Sequence, residues 1–186
     1  MAPGGFRGKV LRVDLTRGDL REEELDLSGA RDFLGSKGYA ARLLFKELAP
    51  GTDPLSPQNK LVIMTGPLTG LAGGPMPNRF SVCTRSPLTG AWVDSHCGGH
   101  FGPELKFAGW DGIVIEGRAE QPVHLRIRDS LVELVPATHL WGKGTFETMR
   151  TVQNEEGAGK RLPRVLSIGP AGECLCRIAA VIADVR

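Results

Sequence analysis

The segment from Gly66 to Gly102 combines glycines, prolines and side chains that could bind an anion. Its 37 residues contain eight glycines, four prolines, an Asn78-Arg79 pair and a polar cluster at 95–100. Glycine removes the Cβ that blocks approach to the backbone, and arginine offers a planar fork of N–H donors. This mixture predicts a surface where backbone amides and a guanidinium bind a phosphate-bearing ligand.

Two positions in this segment are the strongest candidates for anion binding. Arg79 follows a loop, 73–78, whose prolines fix backbone angles and whose glycines reduce crowding. Its guanidinium could bind a phosphate with two hydrogen bonds, or it could be a solvated arginine at the start of a strand. Gly98 and Gly99 favour either an anion nest or carbonyl ligands to a hard cation. The stretch that follows them predicts a helix whose free N–H groups add positive potential.

The cluster His96-Cys97-Gly98-Gly99-His100 also allows two other kinds of site. It contains zinc-ligand types, but it lacks the C-x-x-C and H-x-x-x-H spacings typical of zinc sites. Cys97 beside His96 could act as a thiol with a neighbouring base, yet adjacent residues of a strand point to opposite faces. Binding through the backbone of the two glycines therefore explains the cluster better.

Composition limits the classes of function. The chain has 186 residues, of which 41% are hydrophobic, so we expect one domain over residues 1–186 with a real core. A net charge of +2, from 23 basic and 21 acidic residues, indicates neither nucleic-acid nor membrane binding. No apolar run approaches the roughly 20 residues that cross a bilayer, and no secretory signal opens the chain, which favours the cytoplasm. The four cysteines are expected to be reduced thiols.

Hydrophobic periodicity predicts about nine or ten strands and four helices without regular βαβ alternation. We therefore expect an α+β fold with largely antiparallel sheets. The chain should open with a hairpin of two strands, near 11–15 and 20–25. A short helix capped by Ser28 and a second helix from about Ser36 to Leu48 should follow. Glu104 and Lys106 are expected on the exposed side of the helix that follows the glycine-rich segment.

The second half of the chain predicts mainly β-structure. Strands at 112–117, 123–127 and 131–134 most simply form an antiparallel meander. A helix is expected over 145–156 with Thr145 as its cap, followed by a strand at 165–168. The last strand should run from Cys174 to about Ala183, with Cys174 and Cys176 buried on one face.

Five ordered segments carry a pattern that we identify with a known family. They are Asp53-Pro54-Leu55-Ser56-Pro57-Gln58-Asn59-Lys60-Leu61, Gly66-Pro67-Leu68-Thr69-Gly70, Ser86-Pro87-Leu88-Thr89-Gly90, Gly98-Gly99-His100-Phe101-Gly102-Pro103-Glu104-Leu105-Lys106-Phe107-Ala108-Gly109 and Ser167-Ile168-Gly169-Pro170-Ala171-Gly172-Glu173. On these segments the chain resembles the N-terminal domain of the aldehyde ferredoxin oxidoreductase family. The resemblance covers essentially all 186 residues.

This resemblance implies an activity for the complete protein. Full-length members oxidise aldehydes to carboxylic acids with ferredoxin as electron acceptor. They use tungsten, or molybdenum in some members, held by two pterin dithiolenes, together with one [4Fe–4S] cluster. The N-terminal domain is implied to be a mostly β platform for the bis-pterin cofactor, whereas the iron–sulfur cysteines belong to later helical domains.

The resemblance also implies roles for individual residues. Asn78 and Arg79 correspond to a pterin-contacting segment, and the turn His96-Cys97-Gly98-Gly99 to one that meets the pterin phosphates through backbone groups. The backbone carbonyl of His96 would bind the magnesium ion that bridges the pterins. Many members have Gly-Gly-Arg and Asn-Ser-Gly-Gly at these two places. A backbone role is compatible with those differences, whereas a side-chain role is less so.

Family members continue past the strand near Val181 into a glycine-rich loop that holds the second pterin, whereas this sequence ends at Arg186. We therefore expect a fragment or a split subunit, inactive until C-terminal domains or a second subunit complete it. A non-enzymatic module that binds pterin or phosphate is the competing hypothesis. Part of a related tungsten enzyme, such as an aryl-CoA reductase, is a third.

Overall fold

The structure is a computed structural model that describes residues 4–74, 77–157 and 162–183. Ten strands lie in these ranges: β1 Lys9–Asp14, β2 Asp19–Glu24, β3 Lys60–Thr65, β4 Phe80–Arg85, β5 Trp92–Cys97, β6 Gly112–Glu116, β7 Val123–Arg128, β8 Leu131–Pro136, β9 Leu166–Ser167 and β10 Ile182–Ala183. The helices are α1 Leu27–Asp32, α2 Ser36–Glu47, α3 Phe101–Phe107, α4 Thr145–Glu156 and α5 Pro170–Glu173. A 3-10 helix, Thr138–Leu140, precedes α4.

Six strands form one mixed sheet in the order β2-β1-β6-β3-β4-β5. Only the β1–β6 pair in this sheet is parallel, and the other four pairs are antiparallel. Two hairpin-like pairs, β7–β8 and β9–β10, form separate two-stranded sheets. The predicted α+β fold with largely antiparallel sheets is confirmed.

The central sheet buries both of its faces, because alternate residues of a strand point to opposite sides. One face packs against α1 and α2, and its core includes Val10, Val62 and Leu44. The other face includes Leu11, Ile63 and the side chains of α3 and the β7–β8 hairpin. The sheet is therefore the middle layer between two apolar cores.

The opening hairpin and α2 match their predictions closely. Strands β1 and β2 pair antiparallel from Lys9↔Glu24 to Asp14↔Asp19. The predicted caps are wrong, however. Asp26, not Ser28, caps α1 by accepting a hydrogen bond from the backbone N–H of Gly29. Gly144 occupies the cap position of α4, and Thr145 is its first helical residue.

The predicted meander of three strands is wrong. Strand β6 leaves its sequence neighbours and lies between β1 and β3, parallel to the first and antiparallel to the second. Its apolar residues, such as Ile113 and Val114, are buried on both faces. A strand that is apolar on both sides buries the most apolar surface at the centre of a sheet, which explains the position of β6. Strands β7 and β8 are left to pair with each other.

The predicted strand from Cys174 to Ala183 is also wrong. In the described residues only Ile182–Ala183 pairs as a strand, with Leu166–Ser167. Cys174 and Cys176 lie in the turns after α5, and both are exposed rather than buried. Residues 75–76 of the predicted loop and residues 184–186 lie outside the described residues.

Candidate functional site

The antiparallel pairing of β4 and β5 brings two of the predicted site segments together. Phe80 pairs with Cys97 at one end of this ladder, so residues 78–79 and 98–99 continue side by side beyond it. The Asn78 amide nitrogen lies 3.5 Å, and a terminal Arg79 nitrogen 3.9 Å, from the point where a Cβ on Gly98 would stand. Both side chains therefore lie against the backbone of Gly98.

The side chain of Arg79 belongs to an exposed residue immediately before β4. Among the residues that the structure describes, no carboxylate forms an ion pair with it, although fifteen ion pairs occur elsewhere. The Arg79 guanidinium presents a planar fork of N–H donors at the surface.

The imidazole of His96 is engaged on the exposed face of β5. Its Nε2 lies 2.9 Å from Oδ2 of Asp94, and the same oxygen lies 3.5 Å from the Nζ of Lys37. The Asp94 carboxylate therefore contacts both side chains. The His96 ring is therefore held beside Asp94 rather than beside Arg79.

Cys97 and Gly99 differ in what they can offer. Cys97 is half-buried and packs against the second apolar core. Gly99 has a φ of +90°, a conformation that favours glycine because it has no Cβ. The turn after β5 can thus present main-chain groups, while the Cys97 side chain is part of the core.

The helix after this turn, α3, differs from its prediction in one residue. Glu104 is half-exposed, but Lys106 is only 3% exposed and its Nζ lies 2.5 Å from Oδ1 of the fully buried Asp111. The predicted exposure of Lys106 is therefore wrong. Burial lowers the pKa of the Lys106 ammonium, and the hydrogen bond to Asp111 opposes that effect.

Sequence reasoning missed Thr69, whose side-chain hydroxyl contacts the backbone of Arg79. Its Oγ1 donates a hydrogen bond of 2.7 Å to the carbonyl oxygen of Arg79 and accepts one of 3.0 Å from the N–H of Gly66. The N–H of Gly70 donates to the carbonyl of Pro77 at 2.6 Å. The motif Gly66-Pro67-Leu68-Thr69-Gly70 gave the only sequence signal, because it precedes Arg79 and contains a hydroxyl at a turn.

A separate apolar groove lies at the far ends of β4 and β5. Its volume is about 710 Å³, and α2 residues such as Leu44 and Phe45 line it together with Arg85 and Trp92. None of the six predicted site residues lines it. The groove and the Arg79 region are therefore distinct features.

The described residues contain no cluster of three or more histidine, cysteine or acidic side chains that could hold a metal ion. No described helix has the length and apolar character needed to span a bilayer. Around Arg79 the described residues thus bring together a cationic side chain, the Asn78 amide and the backbone of Gly98.

Known proteins are similar to this chain in sequence and in fold. The chain is 49% identical, over 97% of its length, to the tungsten-containing aldehyde ferredoxin oxidoreductase of Pyrococcus furiosus. It is 48% identical to the corresponding protein of Thermococcus kodakarensis and 38% identical to an aliphatic sulfonate oxidoreductase WOR-like subunit of Pyrococcus furiosus. The chain spans about 29% of the length of the two aldehyde ferredoxin oxidoreductases.

A solved structure agrees with these sequence relatives. The active site complex BamBC of benzoyl coenzyme A reductase, in complex with 1,5-dienoyl-CoA, superimposes with a TM-score of 0.91 at 35% identity. That match covers 96% of this chain and 27% of the other. The family model for the aldehyde ferredoxin oxidoreductase N-terminal domain matches residues 10–186. The resemblance seen in the five sequence segments is confirmed, and the chain belongs to the aldehyde ferredoxin oxidoreductase family as its N-terminal domain.

Proposed function

We propose that residues 1–186 are a single cofactor-binding domain of a tungsten enzyme that oxidises aldehydes to carboxylic acids and passes the electrons to ferredoxin. The observation that carries this proposal is 49% identity over 97% of the chain with a tungsten-containing aldehyde ferredoxin oxidoreductase. Identity at that level, along the whole domain, is hard to reconcile with a different role for the same surface.

The proposed ligand at Arg79 is the phosphate end of a bis-pterin cofactor. An exposed guanidinium with no carboxylate partner among the described residues and a glycine turn with positive φ suit an anionic group with several oxygen acceptors. In this proposal Arg79 and the Asn78 amide bind phosphate oxygens, while backbone groups of 96–99 complete the cradle. The His96 carbonyl is the proposed ligand of a magnesium ion bridging the two pterins, because hard cations prefer oxygen.

When bound, a tungsten-pterin group supplies the two-electron chemistry at the metal, and the residues of this chain orient it and neutralise its phosphates. Holding the cofactor by its anionic end places the reacting centre at a fixed distance from the domain surface. The proposed [4Fe–4S] cluster lies in further polypeptide, because the four cysteines here do not form a cluster-binding set. Their unpaired thiols also support a cytoplasmic setting.

Further polypeptide, either C-terminal domains or a second subunit, is the proposed partner of this domain. Several large apolar side chains are strongly exposed, including Phe45 at 90%, Leu34 at 79% and Ile178 at 73%. Large exposed apolar surfaces are unusual unless another surface covers them. We propose that turnover requires that added polypeptide, since the substrate pocket would lie between it and this domain.

A second candidate function is the reduction of an aromatic coenzyme A thioester. The TM-score of 0.91 with a benzoyl coenzyme A reductase complex favours it, although identity with that protein is 35% against 46–49% for four aldehyde oxidoreductases. A non-enzymatic module that binds pterin or phosphate shares the same anion site. Assays of aldehyde oxidation and of thioester reduction, on protein loaded with cofactor, separate these three functions.

The binding role of Arg79 is tested by Arg79→Ala in protein expressed with the polypeptide that completes its relatives' length. Loss of a charge-assisted hydrogen bond is worth about 1.5–3 kcal/mol, so we expect pterin and tungsten retention through gel filtration to fall at least about tenfold. Arg85→Ala is the matched control, since Arg85 lies at the other end of β4 and its Nε donates to the carbonyl of Gly90. Equal retention by both variants and the parent protein would reject the assignment.

A further inference from the structure

Two turns of the chain share the sequence Pro-Leu-Thr-Gly but differ in what surrounds them. The first, 66–70, follows β3, and the second, 86–90, joins β4 to β5. Both end in a glycine of positive φ, +81° at Gly70 and +70° at Gly90. The two threonines differ: Thr69 is 7% exposed, whereas Thr89 is exposed. The same local sequence is therefore used in two environments.

The hydroxyl of Thr69 binds the main chain of the site, and that of Thr89 does not. Thr69 Oγ1 lies 2.7 Å from the carbonyl oxygen of Arg79, and because a carbonyl can only accept, the hydroxyl proton is committed to it. The N–H of Gly66 occupies a lone pair of the same oxygen. Thr89 Oγ1 accepts a local hydrogen bond of 3.2 Å from the N–H of Ala91.

The first turn is itself held firmly. A Cβ on Gly70 would stand 3.1 Å from the ring of Phe107, so the turn packs directly against α3. The Gly70 N–H also donates to the carbonyl of Pro77. Two hydrogen bonds thus join this turn to both ends of residues 77–79, the segment that contains Asn78 and leads into β4.

We propose that Thr69 is a positioning residue for anion binding: its hydroxyl fixes the backbone of Arg79 so that the guanidinium lies over Gly98. The inference rests on the proposed function, because it requires Arg79 to bind the cofactor's phosphates. A fixed carbonyl fixes the peptide plane after Arg79 and restricts the direction of its Cα–Cβ bond. Only side-chain rotations then remain to be ordered when the anion binds, which lowers the entropic cost of binding.

The variant that tests this is Thr69→Val, which keeps the shape and removes the hydroxyl. Binding of inorganic pyrophosphate to the purified protein, measured by titration calorimetry, should weaken about three- to tenfold, the effect of one neutral hydrogen bond. Thr69→Ser, which keeps the hydroxyl, should bind within about twofold of the parent. Thr89→Val is the matched control and should bind like the parent. Thr69→Ala replaces Thr69→Val if that variant does not fold.

A double-mutant cycle separates positioning from a purely structural role. If Thr69 acts through the guanidinium, Thr69→Val should change pyrophosphate affinity less than about twofold in an Arg79→Ala background. A variant that melts at a lower temperature but binds pyrophosphate like the parent would overturn the positioning role. So would equal effects of Thr69→Val with and without Arg79.

Failure of the proposed function can be distinguished from failure of the role proposed for Thr69. If the parent protein does not bind pyrophosphate, or if Arg79→Ala leaves binding unchanged, both the anion site and the inference drawn from it are wrong. If Arg79→Ala weakens binding while Thr69→Val does not, the anion site stands and only the positioning role of Thr69 is refuted.

Discussion

Replacing Lys106 by methionine should destabilise the protein by about 3 kcal/mol, because it leaves a buried carboxylate without its cation. The Lys106 and Asp111 side chains are 3% and 0% exposed. Asp111 accepts hydrogen bonds from three donors: the Lys106 ammonium at 2.5 Å, the N–H of Gly8 at 2.6 Å and the N–H of Arg7 at 2.8 Å. This carboxylate therefore joins the N-terminal segment to the end of α3.

The three hydrogen bonds to Asp111 predict which substitution destabilises the protein more. Lys106→Met removes one donor but leaves Asp111 its two backbone N–H partners, which places the cost near the lower end of the 3–5 kcal/mol range for a broken buried pair. Asp111→Ala should cost about 4–5 kcal/mol, because it removes the carboxylate that accepts from two N–H groups and is the nearest acceptor of the buried ammonium. The ammonium then keeps a 3.4 Å contact to Thr65 Oγ1 and its position over the Phe6 ring. The double variant should cost less than the sum of the two.

Urea denaturation followed by tryptophan fluorescence measures these changes, since Trp110 is 4% exposed beside the pair. The matched control is Lys9→Met, which breaks an ion pair of 2.9 Å to Glu22 whose side chains are about half exposed. That change should cost less than about 1 kcal/mol. If Lys106→Met also stays below about 1 kcal/mol, the buried pair does not contribute as argued.

Two further predictions concern titratable groups away from the Arg79 region. Neither ring nitrogen of His124 has a hydrogen-bond partner in the described chain, and burial lowers its pKa. The unfolded state then binds the proton more readily, so the unfolding free energy should decrease as the pH drops below about 6.5. This decrease should be less steep in His124→Leu than in the parent, and parallel pH profiles of the two proteins would contradict the prediction. Burial also raises the pKa of Cys83 to about 11, whereas Cys174 and Cys176 are exposed. A disulfide reagent at pH 8, with mass-spectrometric mapping, should therefore label the exposed pair first, and early labelling of Cys83 would count against its burial.

Local patterns predicted the elements whose stability is decided by near neighbours in the chain. The β1–β2 hairpin has alternating residues and a turn between its strands, and α2 has apolar residues at helical spacing, so both were predicted closely. The family could be identified from five motifs because backbone-determining glycines and prolines recur at fixed positions. The same glycines indicated where an anion site was to be sought, since their backbone freedom is a local property.

Features that depend on partners distant in sequence could not be predicted from local patterns. Strand β6 lies between β1 and β3 because its apolar residues fill both cores, and its pairing partners are about 50 and 100 residues away. Lys106 looked exposed on its helix, but its ammonium lies over the Phe6 ring and 3.4 Å from Thr65 Oγ1, and both residues come much earlier in the chain. Cys174 and Cys176 alternate like strand residues, yet no neighbouring strand pairs with them in the described structure.

The sequence by itself determined the family and the α+β class, and it predicted candidate residues for an anion site, because these follow from residue types and short spacings. Only the tertiary structure placed Arg79 and Asn78 against Gly98, through the pairing of β4 with β5. It also distinguished Thr69 from Thr89, which share one local sequence. The physical reason is that hydrogen bonds and burial depend on which distant segments the fold brings into contact, and local sequence does not specify those partners.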